Sequence, residues 1–264
     1  MRDSWDPACY ERFADERSAP FHDLLALIRP IPGGRAADLG CGTGALTLEL
    51  HRHVRARETL GIDSSVAMLE RARPLAGDGL RFEPGDIATF GQDGHAGGDR
   101  GWDLICSNAA LHWVPDHPAL LARLVPVLAP GGQLAVQVPA NFDHPSHVVA
   151  AELAGEEPFR GALDGYRRLG PVEPAERYAE ILDRLGFVEQ HVRLQVYGHH
   201  LAGREAVVEW VRGTLLTDYQ RRMPAELFER FLDRYRERLL PLLDERRPHF
   251  YPFKRVLLWG ALRP

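Results

Sequence analysis

The sequence predicts an α/β fold: a mostly parallel sheet with helices on both faces and a helical lid. Three observations carry this. Short β-rich runs alternate with helical stretches through the first half of the chain, a glycine-rich turn closes the first run, and the rhythm changes after Pro139. Strands alternating with helices of this length make right-handed βαβ units, whose sheet is covered on both faces. The ligand crevice of such a sheet lies at the carboxyl ends of its strands, near the point where strand order reverses.

The elements follow in order. Arg35–Leu39 reads as a strand ending at Gly40-Cys41-Gly42-Thr43-Gly44, and Ala45–His53 as a helix. Thr59–Ile62 is the second strand; Ser65–Arg73 is the next helix, with Ser64 or Ser65 as its N-cap. Leu80–Glu83 and Trp102–Ser107 are the third and fourth strands, and a helix covers His117–Leu128. Pro130-Gly131-Gly132 breaks the chain before a fifth strand at Gln133–Val138. Helices are expected near Ser146–Ala154, Pro174–Leu185, Arg204–Leu216 and Pro224–Leu239, with strands at Phe187–Tyr197 and Tyr251–Ala261. The domain expectation is one domain over 1–264. Its core is about 30–140 with 174–197 and 251–261, and its lid comes from 1–29, 141–173 and 198–250.

Composition narrows the partners. The 264 residues are 45% hydrophobic and 26% charged, the proportions of a globular chain. No apolar run approaches the roughly 20 residues that span a bilayer, and Met1–Asp6 carries no apolar export segment. A net charge of −5 without a basic stripe disfavours nucleic acid. Cys9, Cys41 and Cys106 are too far apart for a disulfide framework or a C-x-x-C site, so a reducing cytoplasm is expected. His51, His53, His199 and His200 are isolated from acidic or sulfur partners and are read as solvated, with no metal site expected. Trp210 is read as core. Lys254 is the single lysine among 32 basic residues.

The glycine loop carries the chemistry. Gly40, Gly42 and Gly44 let the backbone turn sharply and let a ligand approach it with no Cβ in the way. Asp63, at the end of the next strand, is placed to accept hydrogen bonds from both hydroxyls of a ribose. The loop alone also satisfies the looser dinucleotide pattern, so NAD stays open on that evidence. Three features then favour a cationic adenosine cofactor. Asp38 ahead of the loop repels a pyrophosphate and attracts an ammonium or sulfonium. Met68 and Leu69 are apolar neighbours for an adenine, while Asp86 and Ile87 offer a carboxylate to its amine and an amide to a ring nitrogen.

Asp38–Gly44, Gly61–Ser65, Gly85–Ile87 and Ser107–Trp113 resemble the successive motifs of class I S-adenosylmethionine-dependent methyltransferases, over about Arg35 to Pro139. More narrowly, the chain is similar from end to end to the trans-aconitate 2-methyltransferase family. That likeness is carried by Trp5-Asp6-Pro7, Tyr10, Phe13, Glu16-Arg17, Pro20, Leu111–His117, Gln137–Asn141, Pro145–His147 and Tyr251–Arg255. The loop 91–101 and the stretch 155–171 depart from its pattern. The resemblance implies a Rossmann-like fold with a seven-stranded sheet and S-adenosylmethionine as cofactor. It implies cofactor contacts at Asp38, Gly40, Cys41, Gly42, Gly44, Asp63, Ser64, Met68, Asp86, Ile87 and Asn108. For a small acid substrate it implies Tyr10, Arg17, His112, Trp113, His147, Lys254 and Arg255, with His112 and Trp113 positioning it. Methyl transfer to a carboxylate, ionised near neutrality, needs no general base. A monomer is expected. The alternatives are a methyltransferase for a secondary metabolite's carboxyl or hydroxyl, and a non-catalytic cofactor-binding protein.

Overall fold

The computed structural model describes residues 14–92 and 98–264. In chain order the elements are α1 (Ala14–Leu25), β1 (Arg35–Leu39), α2 (Ala45–Val54), β2 (Glu58–Asp63), α3 (Val66–Ala72), β3 (Leu80–Pro84), β4 (Trp102–Asn108), α4 (His117–Leu124), β5 (Leu128–Pro139), α5 (Pro145–Ala154), α6 (Phe159–Ala162), α7 (Ala175–Arg184), β6 (Phe187–Leu201), α8 (Glu205–Arg212), α9 (Leu215–Arg222), α10 (Ala225–Leu239) and β7 (His249–Leu262). The strands form one seven-stranded sheet in the order β3-β2-β1-β4-β5-β7-β6. β1 pairs in parallel with β2 and β4, β2 with β3, and β4 with β5. β7 runs antiparallel to β5. The order reverses at β1, so the loop after β1 falls at the crevice that open parallel sheets use for ligands.

The residues cluster into two compact units. One is Arg17–Pro139 with Pro171–Gln195 and Arg255–Pro264; the other is built mainly from Ala140–Gly170 and Val196–Lys254. In the first, β1 is buried at four of five positions and β2 at four of six, which explains their near-continuous apolar sequence. Phe21, Leu24, Leu25 and Ile28 pack with Leu50, Val54, Leu104, Leu257 and Trp259 in its core. The stretch 17–29, assigned to a lid by sequence, therefore belongs to the sheet unit. Its apolar side chains fill the space beside α2 rather than leaving with the helical segments. In the second unit, α5, α6, α8, α9 and α10 bury Leu153, Phe159, Trp210, Tyr219, Phe231 and Tyr235 around one core.

Three local expectations need correction. The helix expected over 204–216 is two, because Gly213 closes α8 and Thr214 precedes α9 in a non-helical conformation. β5 begins at Leu128, ahead of the Pro-Gly-Gly breaker: a register shift lets Leu128 pair with Trp102 and Gln133 with Leu104. His199 is not solvated but buried, its ring 4.8 Å from that of Trp210. Tyr10 lies outside the described residues, as does the side chain of Arg17, whose backbone falls in α1.

Candidate active site

Parallel pairing brings the ends of β1, β2, β3 and β4 to one edge of the sheet, and the candidate site is assembled there. Asp38, in β1, is 5% exposed and accepts a hydrogen bond from Thr47 Oγ1 at 2.6 Å. Burial pushes its carboxyl up to about 6; the Thr47 hydrogen bond works against that shift and the nearby Asp63 charge adds to it. A buried carboxylate facing a second carboxylate is unfavourable on its own and receptive to a cation.

The loop after β1 is held by its glycines. Gly40 and Gly44 have φ of +83° and +79°, and a Cβ on either would collide, with Ala110 Cβ at 2.2 Å and with Phe82 Cζ at 2.7 Å. Gly42, at φ +55°, is different: a Cβ there would meet nothing within 4 Å. Framework packing explains the outer two glycines, while the middle one leaves open space beside the backbone among the described residues.

Asp63 ends β2 and ties two segments together. Its Oδ2 accepts the Gly42 amide at 2.9 Å, and its Oδ1 accepts the Ser65 amide at 2.8 Å. Two main-chain donors fix the carboxylate's plane, and a carboxylate has further lone-pair positions for the hydroxyls of a ribose. Ser65 then caps α3 through the Met68 amide, 3.3 Å away, while Ser64 is exposed and Met68 buried. Asp86, after β3, accepts the Ala88 amide at 2.8 Å and so caps its own turn. Ile87 is half-buried and faces the loop, 3.4 Å from where a Gly40 Cβ would stand.

Asn108 ends β4 and enters a chain the sequence did not reveal. Gln137 Nε2 donates to Asn108 Oδ1 at 2.7 Å, and Gln137 Oε1 accepts from Arg255 Nη1 at 3.0 Å. Gln137 is fully buried and Arg255 5% exposed. A buried glutamine in a central strand needs partners, and that need is the signal that could have exposed the link. The next residue, Ala109, has φ +53°, a costly conformation for a residue with a Cβ. It leads to the 3₁₀ turn Leu111–Trp113, where the His112 and Trp113 rings sit 4.9 Å apart. Behind the turn, buried His117 meets the Leu111 carbonyl through Nε2 at 2.9 Å, so Nε2 carries the proton and Nδ1 accepts from the Tyr178 hydroxyl.

In the second unit, His147 is 9% exposed on α5, and burial pushes its imidazole down to about 3. Lys254 is ion-paired with Asp143, and its amide donates to Asn141 Oδ1 at 3.1 Å. The two cysteines among the described residues, Cys41 and Cys106, are buried, which pushes both thiols up and leaves them unsuited as nucleophiles.

The buried acid, the open glycine, the anchored Asp63 and the apolar Met68 and Ile87 stand within one unit and fit a cationic, adenosine-bearing cofactor. Residues 36–132 match the methyltransferase domain family. Two solved structures share the fold. The YcgJ protein from Bacillus subtilis superposes with a TM-score of 0.61 at 15% identity, over 94% of this chain and 99% of its own. The Haemonchus contortus phosphoethanolamine N-methyltransferase 2, solved with S-adenosyl-L-methionine, gives 0.53 at 14% identity, over 94% of this chain and 53% of its own. The trans-aconitate 2-methyltransferase of Deinococcus radiodurans is 44% identical over 99% of both chains. That of Rhizobium meliloti is 39% identical over 89% of both.

The chain belongs to the trans-aconitate 2-methyltransferase family. It is a methyltransferase that depends on S-adenosylmethionine. Within this family member the substrate candidates fall into two groups: His112, Trp113 and Arg255 in the sheet unit, His147 and Lys254 in the helical one.

Proposed function

We propose that this methyltransferase forms the monomethyl ester of a small polycarboxylic acid, trans-aconitate, in the cytoplasm and as a monomer that binds no nucleic acid. The observation that carries the reading is identity of 44% with a trans-aconitate 2-methyltransferase across 99% of the chain. Bound S-adenosylmethionine would supply an electrophilic methyl group on a sulfonium to an acceptor carboxylate that is already ionised, so the chain need supply no general base.

The chain's work is then positional. Asp38 offers charge to the cofactor's cationic end, and Asp63 offers its anchored carboxylate to the ribose. Gly40, Cys41, Gly42 and Gly44 supply the close backbone, Ser64, Met68 and Ile87 flank the adenine, and Asp86 and Asn108 complete the contacts. His112 and Trp113, on a turn braced by His117, position the acid and exclude water from its carboxylate. Tyr10, Arg17, His147, Lys254 and Arg255 remain the proposed polar contacts for the acid, with the grip of a guanidinium on a carboxylate being bidentate.

A panel of acids tests this by release of S-adenosylhomocysteine, with product regiochemistry determined for each substrate that turns over. Turnover of trans-aconitate to one monomethyl ester is the expected result. Turnover confined to aromatic or acyl acceptors would replace it with methylation of a secondary metabolite.

A further inference from the structure

Sheet register places Asn108, Gln137 and Arg255 on one face of the sheet unit. Asn108 in β4 stands opposite Gln137 in β5, and Arg255 in β7 stands opposite Pro139, two positions along from Gln137. Residues two apart on a strand share a face, so the three side chains meet in a row. The bonds run in one direction along it. Arg255 Nη1 donates to Gln137 Oε1 at 3.0 Å, and Gln137 Nε2 donates to Asn108 Oδ1 at 2.7 Å.

The cation fixes that direction. Two side-chain amides alone can turn over together, exchanging donor for acceptor while keeping a bond between them. A guanidinium only donates, so Gln137 must turn Oε1 toward Arg255. Nε2 is then left for Asn108, which must answer with Oδ1 and keep Nδ2 as its free group. Turning either amide over would set a buried donor against a donor, since Gln137 is fully buried and Arg255 nearly so. A charge at the head of the row also polarises the bonds after it and makes Nδ2 a better donor. Among the described residues Nδ2 has no partner, and Asn108 is half-buried rather than enclosed. Gln137 also holds the backbone that follows, its carbonyl accepting the amide of left-handed Ala109 at 2.8 Å. Ala110 Cβ comes next, 2.2 Å from where a Gly40 Cβ would stand, so Asn108 lies two residues from the glycine loop's wall.

We propose that Gln137, oriented by Arg255, is a positioning residue for the cofactor: it presents Asn108 Nδ2 as a donor to the carboxylate at the amino-acid end of S-adenosylmethionine. Asp38 stands opposite Cys106, two positions before Asn108, and offers its charge to the cationic part of the same ligand. A zwitterionic end thus meets an acceptor and a donor on neighbouring strands. The identity of the acceptor acid does not enter.

The test is calorimetry on the cofactor-free protein with S-adenosylhomocysteine and with methylthioadenosine, the same nucleoside thioether without the amino-acid end. Gln137→Glu keeps the side chain's size and the bond from Arg255, whose charge keeps the new carboxylate ionised. Having only acceptors, that carboxylate obliges Asn108 to turn Nδ2 inward and leaves Oδ1 as its free group. Affinity for S-adenosylhomocysteine is expected to fall about 10- to 100-fold, with that for methylthioadenosine unchanged within about threefold. Gln137→Met cuts the row without reversing it and is expected to lie between, with a loss of up to about tenfold confined to S-adenosylhomocysteine. Unchanged binding of S-adenosylhomocysteine in folded Gln137→Glu overturns the proposal. Tighter binding overturns it too, because it puts the freed oxygen on the ligand's ammonium. Equal losses for the two ligands make Gln137 structural and overturn it as well. Thermal melts report folding, and where Gln137→Glu fails to fold, Gln137→Met decides: a loss selective for S-adenosylhomocysteine supports the proposal and no selective loss overturns it. None of these readouts involves methyl transfer, so failure to turn over trans-aconitate would remove the acid reading and leave this one standing.

Discussion

Asp38 makes the cofactor site testable by pH. Its carboxyl sits at about 6, against an ordinary 3.8, chiefly because it is buried. A shift of about two units corresponds to about 3 kcal/mol favouring the neutral form. The sign follows from linkage: the group's folded pKa is raised, so its contribution is fully present below about pH 3.8 and is lost as pH rises through about 6. At pH 8 the cofactor-free fold therefore carries an ionised, buried Asp38 at a cost of up to about 3 kcal/mol. Asp38→Asn keeps an acceptor for Thr47 and removes the charge, so it is expected to melt several degrees above wild type at pH 8, with the gap closing by about pH 4. A cationic cofactor prefers the ionised form. Wild-type affinity for S-adenosylmethionine is thus expected to weaken about tenfold between pH 7 and pH 5, and Asp38→Asn to bind weakly without that dependence. Differential scanning fluorimetry and titration calorimetry over this range read both effects. Equal melting of the two proteins at pH 8, or wild-type affinity flat from pH 5 to 7, would refute the reasoning.

Other outcomes follow from the same geometry. Asp63→Ala removes the acceptor of the Gly42 and Ser65 amides along with the proposed ribose contacts, and calorimetry should show cofactor affinity down about 10- to 100-fold. Gly42→Ala and Gly44→Ala should separate by phenotype. The first meets no neighbour and costs about 1–2 kcal/mol for its left-handed backbone, so it folds but loses cofactor binding; the second also strikes Phe82 and melts several degrees lower still. Lys254→Met removes a proposed contact to the acid and a pair whose Asp143 partner is 71% exposed, so melting should fall by less than about 1 kcal/mol equivalent while KM for the acid rises about tenfold and cofactor affinity is unchanged. An unchanged KM there would leave Lys254 a surface ion pair only.

The sheet was legible because its signals are local. β1 matches the expected Arg35–Leu39 at both ends, β3 and β4 run on by one residue into Pro84 and Asn108, and β2 is longer by one residue at each end, Glu58 and Asp63. Apolar runs, glycine turns and caps are written within a few positions of one another. The glycine loop and Asp63 were legible for the same reason, lying one βαβ unit apart. The links that orient the site are not local. Gln137 reaches Asn108 across 29 positions and Arg255 across 118, and no periodicity records which strands will be neighbours. Thr47 is one helix beyond the loop, and its hydroxyl looks like any other until β1 and α2 are packed.

Physical cost separates the ligand side of the site from its support. Two buried polar side chains that brace the sheet unit, Gln133 and His117, are satisfied. Gln133 Oε1 accepts from the Trp259 indole at 2.9 Å and from the Arg29 amide at 2.9 Å, and His117 is bonded at both nitrogens. At the strand ends the chain accepts unfavourable states instead: a buried carboxyl raised toward neutrality at Asp38, a left-handed alanine at 109, and a left-handed Gly42 with open space where a side chain would be. Packing around Gly40 and Gly44 forces two of the loop's turns, but among the described residues nothing requires the charge at Asp38 or the opening at Gly42. A cation and a flat, close-approaching ligand would make both favourable, and that is the physical reason for proposing them as cofactor contacts.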